Sequence, residues 1–313
     1  MTDLLAPPPA GFSIGHFTDA VGETGCTAVL APPGSRGGVD VRGGGPGTRE
    51  TEAVGPYSGT GEVTGVVLAG GSAHGLAAAD GAVRWLEEHG RGYATHGGLV
   101  PIVPAAVIYD LMRGDPKARP DAASGYAACE AATGEVPERG SVGAGTGAAV
   151  GKILGSEAAT RAGVGYAGGV TGGGTTVAAL AVVNAVGDVI GEVGRVLAGP
   201  RVAGRIAIRS ADEIVAMKEA PDWAALAERN TTLVCVMTDA PLDKAACTRI
   251  ARMASAGIAR AVDPVYSDGD GDVVFCVASG LPAPPDRFTS LVVGTLAATV
   301  TAAAIRDAVS SGS

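Results

Sequence analysis

The stretch Asn230-Thr231-Thr232-Leu233-Val234-Cys235-Val236-Met237-Thr238-Asp239 joins a polar segment to a run of apolar and β-branched residues. A run of this kind is typical of a buried strand, and here the strand starts abruptly at Thr231. Residues 211–229, just before it, are predicted to be helical and then linker-like, with a short helix over Trp223–Glu228. The polar triplet Asn230–Thr232 is therefore expected at the entrance of a core strand.

The periodicity of apolar residues predicts the other elements outward from this strand. Strands are predicted at Thr27–Leu30, Val63–Leu68, Thr176–Ala185, Asp188–Val193 and Val273–Val277, and helices at Leu76–His89, Pro104–Met112, Ala122–Thr133, Asp243–Ala259 and Ser290–Val309. Apolar strands with helices before and after them indicate two sheets covered by helices in a layered α/β fold. We expect residues 1–313 to form a single domain.

Composition limits both the core and the partners of the chain. Hydrophobic residues make up 46% of the 313 residues but aromatic residues only 4%, so Ala, Val, Leu and Ile must fill closely packed layers. The formal net charge is -9, and Lys and Arg are scattered singly, which argues against binding to nucleic acid. The amino terminus lacks the basic and apolar stretches of a secretory signal, so we expect a cytoplasmic protein.

Several other classes of site or segment are disfavoured by spacing. The five cysteines are odd in number and contain no CxxC pair, and the four histidines show no metal-binding spacing, so neither a disulfide framework nor a metal site is expected. The apolar segment Leu291–Ile305 is shorter than a membrane-spanning helix needs to be. A buried helix is expected there, without a membrane partner.

Thr231 is the first candidate for chemistry. A hydroxyl group is a weak nucleophile at neutral pH and needs an adjacent base. Cleavage of the peptide bond before Thr231 would supply one, because the new α-amine has an ordinary pKa of about 7.7–8.0. The same hydroxyl could attack the carbonyl of Asn230 to make the cut. The local pattern alone favours an ordinary turn at the start of a strand.

Asp270 and Asp272 form the second candidate, because residues at i and i+2 of an extended segment point to the same side. Two carboxylates that face one site can share protons and hold an amine or a hydroxyl in place. An exposed acidic turn is the alternative. A calcium loop is disfavoured, because an EF-hand beginning at Asp268 would require Gly and Glu where Val273 and Ser279 stand.

The glycine-rich segment Gly143–Lys152 is the third candidate. It nearly fits a phosphate-binding loop, but Thr146 and Ile153 occupy positions where that loop requires Gly and Ser or Thr. A nucleotide-binding protein that uses this segment therefore stays open only as an alternative. Lys152 is either a buried cation near the carboxylates or an ordinary surface lysine.

Two further polar side chains interrupt apolar runs. Asn184 follows Val182 and Val183, where its amide either caps a turn or donates a hydrogen bond to a developing oxyanion. Tyr109 follows Val107-Ile108. A tyrosine in this pattern more often belongs to the core, and a role in the site is the alternative.

Six motifs in this order resemble the L-aminopeptidase/D-esterase family of self-processing hydrolases, which includes β-aminopeptidases and 6-aminohexanoate-oligomer hydrolases. They are Gly70-Gly71-Ser72-Ala73-His74-Gly75-Leu76, Pro101-Ile102-Val103-Pro104-Ala105-Ala106-Val107-Ile108-Tyr109-Asp110, Gly143–Lys152, Val182-Val183-Asn184, Asn230-Thr231-Thr232 and Asp270-Gly271-Asp272-Val273-Val274-Phe275. The resemblance covers nearly the whole chain.

This resemblance implies an αββα sandwich, also found in ornithine acetyltransferases, that is cut between Asn230 and Thr231 into an α part, 1–230, and a β part, 231–313. It implies that Thr231 is the nucleophile and that Asp270 and Asp272 orient and activate it. It further implies Asn184 as the oxyanion donor, with Lys152 and Tyr109 as supporting residues. Such proteins assemble as oligomers of the cut heterodimer, here a tetramer, and need no metal or organic cofactor.

The substrate implied is a short peptide or a linear oligoamide, cleaved through an acyl-enzyme on Thr231. Thr231, Asp270 and Lys152 are more similar to the 6-aminohexanoate-oligomer hydrolases, since Ser is the usual nucleophile of the aminopeptidase branch. The segment Ala79–Glu88 is more similar to the aminopeptidases. A self-cleaving acyltransferase, which passes the acyl group to an amine, remains the alternative enzyme.

Overall fold

The computed structural model describes residues 4–219, 230–281 and 286–310. Its strands are β1 Ser13–Asp19, β2 Thr24–Leu30, β3 Arg36–Val41, β4 Thr48–Arg49, β5 Gly65–Ala69, β6 Tyr93–Thr95, β7 Gly98–Val100, β8 Ala105–Val107, β9 Ala149–Val150, β10 Thr160–Arg161, β11 Val164–Val170, β12 Thr176–Asn184, β13 Asp188–Ile190, β14 Val196–Ala198, β15 Arg201–Val202, β16 Arg205–Ile206, β17 Thr231–Thr238, β18 Val262–Asp263 and β19 Val273–Ala278. Its α-helices are α1 Thr51–Val54, α2 Ala78–Glu88, α3 Ala122–Glu130, α4 Ser210–Ala216, α5 Lys244–Ala259 and α6 Arg287–Ser310.

Two five-stranded sheets form the centre of the molecule. The strand order is β1-β2-β5-β8-β4 in the first sheet and β11-β12-β17-β19-β3 in the second. One core cluster combines side chains of both sheets, including Leu68 and Leu180, while two others place the outer faces against helices. Helices α2 and α3 cover the first sheet, and α5 and α6 cover the second. The predicted αββα sandwich is confirmed.

Small residues allow these layers to approach closely, as the low aromatic content predicts. A Cβ atom on Gly125 of α3 would lie 1.8 Å from the carbonyl oxygen of Ala78 at the start of α2. A Cβ atom on Gly165 of β11 would lie 1.9 Å from the carbonyl oxygen of Ala304 in α6. At both contacts only glycine lets one backbone meet the other.

One predicted helix is wrong. Residues 104–112 contain the strand β8, which pairs in parallel with β5 so that Val67 lies opposite Ala105. The sequence there is a short apolar run, buried on both sides, and periodicity cannot distinguish such a strand from a helix. The predicted short helix at Trp223–Glu228 lies outside the described residues.

The last helix, α6, agrees with the predicted buried helix over Ser290–Val309. By length and composition it could cross a membrane, with a mean hydropathy of 1.8 over 18 residues. Most of its buried residues, among them Val300 and Ile305, belong to the core cluster of the second sheet and α5. A core helix passes the same length and composition test, so α6 by itself carries no argument for a membrane.

Candidate active site

The second sheet brings Asn184, Asn230, Thr231 and Asp270 to one end of its three central strands. Strands β12 and β17 are antiparallel, and their last pair places Asn184 opposite Thr231. Strand β19 runs parallel to β17, and an isolated bridge pairs Asn230 with Asp270 just before both strands begin. Strand pairing alone therefore gathers Thr231, Asn184 and Asp270, although they are distant in sequence.

The hydroxyl group of Thr231 lies directly against the preceding peptide bond. Its Oγ1 donates a hydrogen bond to the carbonyl oxygen of Asn230 over 2.5 Å, and the residue is only 4% exposed. The backbone N–H of Gly271 donates to the same carbonyl oxygen over 2.7 Å. A potential nucleophile and its potential target are thus packed together in a site largely closed to solvent.

Both candidate carboxylates are buried, so the alternative of an exposed acidic turn is wrong. Asp270 Oδ2 accepts hydrogen bonds from the backbone N–H of Ser267 at 2.7 Å and from its hydroxyl at 2.6 Å. Asp272 Oδ1 accepts from the backbone N–H of Thr232 at 2.5 Å, and Oδ2 accepts from that of Tyr266 at 3.2 Å. These bonds fix both carboxyl groups in the segment that pairs with the start of β17.

Burial makes the two carboxyl groups hold protons more tightly than usual. Burial raises the pKa of Asp270, while the hydrogen bonds from Ser267 and the charge of Lys152 act in the opposite direction. Burial, followed by the neighbouring Asp270 carboxylate, raises the pKa of Asp272 to about 7. Near neutral pH the pair can therefore take up or release a proton, as acid–base catalysis requires.

Lys152 is a buried cation rather than a surface lysine. It is 5% exposed, and its Nζ donates hydrogen bonds to Asn184 Oδ1 at 2.7 Å and to the Asn184 carbonyl oxygen at 3.2 Å. The backbone N–H of Ala149 also donates to Asn184 Oδ1, at 3.1 Å. The Asn184 amide oxygen is therefore held by donors, which directs its NH₂ group the other way.

Tyr109 contributes its backbone carbonyl oxygen to the site. The side-chain Nδ2 of Asn184 donates to the carbonyl oxygen of Tyr109 over 3.0 Å. One of the two amide hydrogens of Asn184 is therefore committed, and the other remains as a potential donor. The Asn184 side chain is fixed by Lys152, Ala149 and Tyr109 together.

The glycine-rich segment Gly143–Lys152 positions Lys152. Gly143–Gly145 form a short 3₁₀ turn, β9 follows, and Gly151 has φ 68 before a second 3₁₀ turn begins at Lys152. A Cβ atom on Gly151 would lie 2.4 Å from backbone atoms of Gly199 and Pro200. Glycine thus allows a sharp bend that carries the Lys152 amine to Asn184, whereas a phosphate-binding loop needs an accessible lysine.

Asp110 is a buried group to which the sequence assigns no role, although it ends one of the six motifs. Its Oδ1 accepts from the Gly71 N–H at 2.6 Å, and its Oδ2 accepts from the Thr24 hydroxyl at 2.7 Å. Burial raises the pKa of Asp110. The carboxyl group ties the backbone next to Tyr109 to Thr24 at the start of β2 and to Gly71 just after β5. A polar residue at the end of the run Val107-Ile108 was the available signal.

Tyr266 is a second residue that the sequence does not single out. Its backbone has φ 63, a region that non-glycine residues rarely adopt. Its hydroxyl donates to the carbonyl oxygen of Ser255, and the guanidinium of Arg42 lies 5.7 Å from the ring centroid. The anchored side chain holds an unfavourable backbone in which the N–H points at Asp272.

Replacing Lys152 by Met is expected to slow any reaction at this site by about 10²-fold or more and to shift its pH profile upward. The variant loses both bonds to Asn184 and the positive charge that lowers the pKa of Asp270. The measurement is a rate–pH profile. Lys244→Met is the matched control, because Lys244 Nζ also donates to backbone carbonyls but at the start of α5. Equal profile shifts in both variants would contradict a specific role for Lys152.

Tyr266→Phe is expected to move the pH midpoint of the reaction upward by a few tenths of a unit or more. Without its hydroxyl anchor the strained backbone can relax, and the N–H bond that lowers the pKa of Asp272 weakens. Tyr126→Phe, which removes a surface bond to Glu88, is the comparison and should leave the midpoint unchanged. An unaltered midpoint in Tyr266→Phe would show that Tyr266 does not position Asp272.

Among residues 4–219, 230–281 and 286–310, no three His, Cys, Asp or Glu side chains come together as a group that could hold a metal ion. The groups gathered around Thr231 are a hydroxyl, two carboxyl groups, an amide, an amine and backbone N–H groups.

Comparison with known proteins identifies the family to which this geometry belongs. The sequence profile of peptidase family S58 matches residues 10–312. The chain belongs to peptidase family S58. A relative from Mycobacterium leprae, named as an uncharacterized aminopeptidase, is 43% identical over 294 aligned positions, and the match covers 87% of this chain and 77% of the relative. A 6-aminohexanoate-oligomer endohydrolase of Paenarthrobacter ureafaciens is 39% identical over 139 residues, 43% of this chain and 36% of that protein.

Two solved aminopeptidase structures agree with the fold. A β-aminopeptidase from a Burkholderia species has a TM-score of 0.69 and 24% identity, and covers 100% of this chain and 90% of its own. The L-aminopeptidase D-Ala-esterase/amidase of Ochrobactrum anthropi, described as a variant of the N-terminal-nucleophile hydrolase fold, has a TM-score of 0.71 and 21% identity, with coverages of 100% and 88%. The chain is therefore a hydrolase of amide bonds with the N-terminal-nucleophile hydrolase fold.

Proposed function

We propose that this S58 hydrolase cuts its own chain between Asn230 and Thr231 and then uses Thr231 to hydrolyse amide bonds of short peptides or linear oligoamides. The observation that carries the proposal is the buried Thr231 hydroxyl, 2.5 Å from the carbonyl oxygen of Asn230, next to a turn that contains two buried carboxyl groups. A strand-entry turn needs neither a buried carboxyl pair nor a buried lysine nearby. Their concentration at this peptide bond favours chemistry over simple structure.

In the proposed reaction the free α-amine of Thr231, or a neighbouring carboxylate, accepts the proton of its hydroxyl as the hydroxyl attacks the substrate carbonyl carbon. An acyl ester forms on Thr231 Oγ1, and the amine of the substrate leaves with a proton. Water then hydrolyses the ester. Asp270 and Asp272 orient Thr231 and share protons, and the remaining amide hydrogen of Asn184 donates to the oxyanion during turnover. Lys152 and Tyr109 hold Asn184.

The substrate class follows from the relatives and from the chemistry of the site. The aminopeptidase names and the oligoamide hydrolase name both describe enzymes that cleave a secondary amide, which is the bond that this mechanism opens. We propose that the cut heterodimer works as a homo-oligomer, a tetramer of αβ units, in the cytoplasm. The native mass measured by light scattering tests the assembly.

The deciding experiment is the intact mass of the purified wild-type protein. Self-cleavage replaces the 30.6 kDa chain by fragments of 230 and 83 residues, roughly 22 and 8 kDa in proportion to length, the smaller beginning with Thr231. Turnover is then assayed with short peptide amides and with linear aminohexanoate oligomers. Added amines serve as competing acceptors, because predominant transfer to the amine over water would indicate an acyltransferase. An active protein that stays in one piece would refute the proposal.

A further inference from the structure

The carbonyl oxygen of Asn230, which belongs to the peptide bond proposed to be cut, accepts two hydrogen bonds. The N–H of Asn230 donates to the carbonyl oxygen of Gly269 over 3.2 Å, and its carbonyl oxygen accepts from the N–H of Gly271 over 2.7 Å. The backbone N–H and the carbonyl oxygen of Asn230 are therefore both bonded to the same turn. Among the described residues, the other hydrogen bond to this oxygen comes from Thr231 Oγ1, the attacking group.

The turn that carries Gly271 is itself fixed in place before any reaction. The N–H of Gly45 donates to the carbonyl oxygen of Asp270 over 2.8 Å, and the N–H of Asp270 donates to that of Ser267 over 3.0 Å. A Cβ atom on Gly43 would lie 2.2 Å from the Asp270 carbonyl oxygen, so the two backbones are in direct contact. The Gly271 N–H is thus a preorganised donor, which is the property that makes electrostatic stabilisation effective.

Gly271 also leaves the space that the nucleophile needs. A Cβ atom at this position would lie 2.7 Å from Thr231 Oγ1. The side chain of Asn184, by contrast, is bound in the uncut chain to Lys152, Ala149 and Tyr109. The donor aimed at the reacting carbonyl in the precursor is therefore a backbone group from the aspartate turn.

We propose that the backbone N–H of Gly271 is the oxyanion donor of the self-cleavage reaction, a step that rests on the function proposed above. Thr231 Oγ1 bonds to the Asn230 carbonyl carbon, its proton passes to the carboxyl pair, and the negative charge on the carbonyl oxygen is met by Gly271 N–H. Collapse breaks the carbon–nitrogen bond, and the Thr231 nitrogen takes up a proton as the ester forms. Hydrolysis of that ester by one water releases the Asn230 carboxyl group and restores the hydroxyl.

The test removes this single N–H without adding atoms. Cell-free translation that places glycolic acid at position 271 replaces the Gly271 amide by an ester, and alkaline cleavage at that ester verifies incorporation. The control places glycolic acid at position 45, which removes the bond from Gly45 to the same turn. Only folded protein is assayed, which means the fraction that resists protease as well as the uncut Thr231→Ala variant does. The rate of self-cleavage in that fraction is measured from the masses of the fragments.

We expect the ester at 271 to slow self-cleavage by about 10²–10³-fold, the loss known for an oxyanion donor, and the ester at 45 by less than about tenfold. A 271 ester that cleaves within about threefold of the all-amide chain overturns the inference, and so does an equal loss at 45, which would assign the effect to the rigidity of the turn. If the all-amide chain itself is never cut, the proposed function fails instead.

Discussion

Thr231→Ala is expected to yield one uncut chain of 313 residues with no measurable amide hydrolysis. The variant lacks both the group that attacks Asn230 and the group that would carry the acyl ester, so no later step can occur. Loss of a covalent nucleophile lowers turnover by roughly 10⁶-fold in well-studied hydrolases, and we expect a loss of that order. Intact mass and a peptide-amide assay on the same sample measure both effects.

Two neighbouring substitutions control for damage to the strand. Thr231→Ser keeps a hydroxyl at the same position and should still be cut, with reduced or similar activity. Thr232→Ala removes an adjacent buried hydroxyl that lowers the pKa of Asp272 less than the Thr232 N–H does, and the bond from that N–H to Asp272 can persist. Thr232→Ala should therefore self-cleave as wild type does. Cleavage of Thr231→Ala at the same bond would remove Thr231 from the mechanism.

Asp272→Asn is expected to slow self-cleavage by about 10²–10⁴-fold, the range lost with an acid–base group. Asn offers an NH₂ group where the carboxylate accepts a backbone N–H, and it cannot ionise. In the wild type the rate should rise with pH through about 7, as the carboxyl group of Asp272, whose pKa is raised to about 7, loses its proton. Rates at pH 5, 6, 7 and 8 measure the profile, and Asp268→Asn, at an exposed carboxylate on the same segment, should leave it unchanged.

Stability should change with pH in the opposite direction. The ordinary pKa of an aspartate is 3.8 and that of folded Asp272 is about 7, so its contribution is fully present below pH 4 and lost as pH rises through 7. The expected loss is on the order of 4 kcal/mol. Burial also raises the pKa of Asp110 and Asp188, with the same sign, whereas burial lowers the pKa of His16, with the opposite sign.

Urea unfolding of the uncut Thr231→Ala chain at pH 5 to 8 measures this dependence, and adding Asp272→Asn isolates the contribution of one carboxyl group. The double variant should lose less stability between pH 5 and pH 8 than Thr231→Ala alone. Identical slopes would show that Asp272 does not titrate with a raised pKa in the folded chain.

Much of the layered fold was predictable from the sequence, because strands such as Thr231–Thr238 and Thr176–Asn184 are unbroken apolar runs with clear boundaries. Helix α5 agrees with the helix predicted over Asp243–Ala259, and the structure shows that Asp243 is its N-cap, accepting the N–H of Ala246 over 2.7 Å. Local pattern failed at β8, where a short apolar run buried on both sides carries no period that distinguishes strand from helix.

The sequence predicted which residues belong to the site better than it predicted how they are arranged. A hydroxyl, two acidic residues and an amide stand out where they interrupt apolar runs, but only strand pairing places Asn184 opposite Thr231. The roles of Tyr266 and Gly271 depend on backbone groups, a left-handed φ and an N–H direction, which side-chain identity does not encode. For Asp110 the sequence shows a carboxylate at the end of an apolar run, but it does not show that Thr24 and Gly71 are its partners.

The strand order of the second sheet has a consequence for how a cut molecule survives. Residues from 231 onward contribute β17 and β19, and these lie between β12 and β3 from the earlier part of the chain. Once the junction is broken, each piece lacks the neighbours that would complete its sheet, and reassembly after full denaturation becomes an encounter between two molecules. Folding of the intact precursor is a first-order process, whereas regain of structure by the processed enzyme is second-order and depends on its concentration. The cut enzyme should therefore form most readily when the intact chain folds first and is cleaved afterwards.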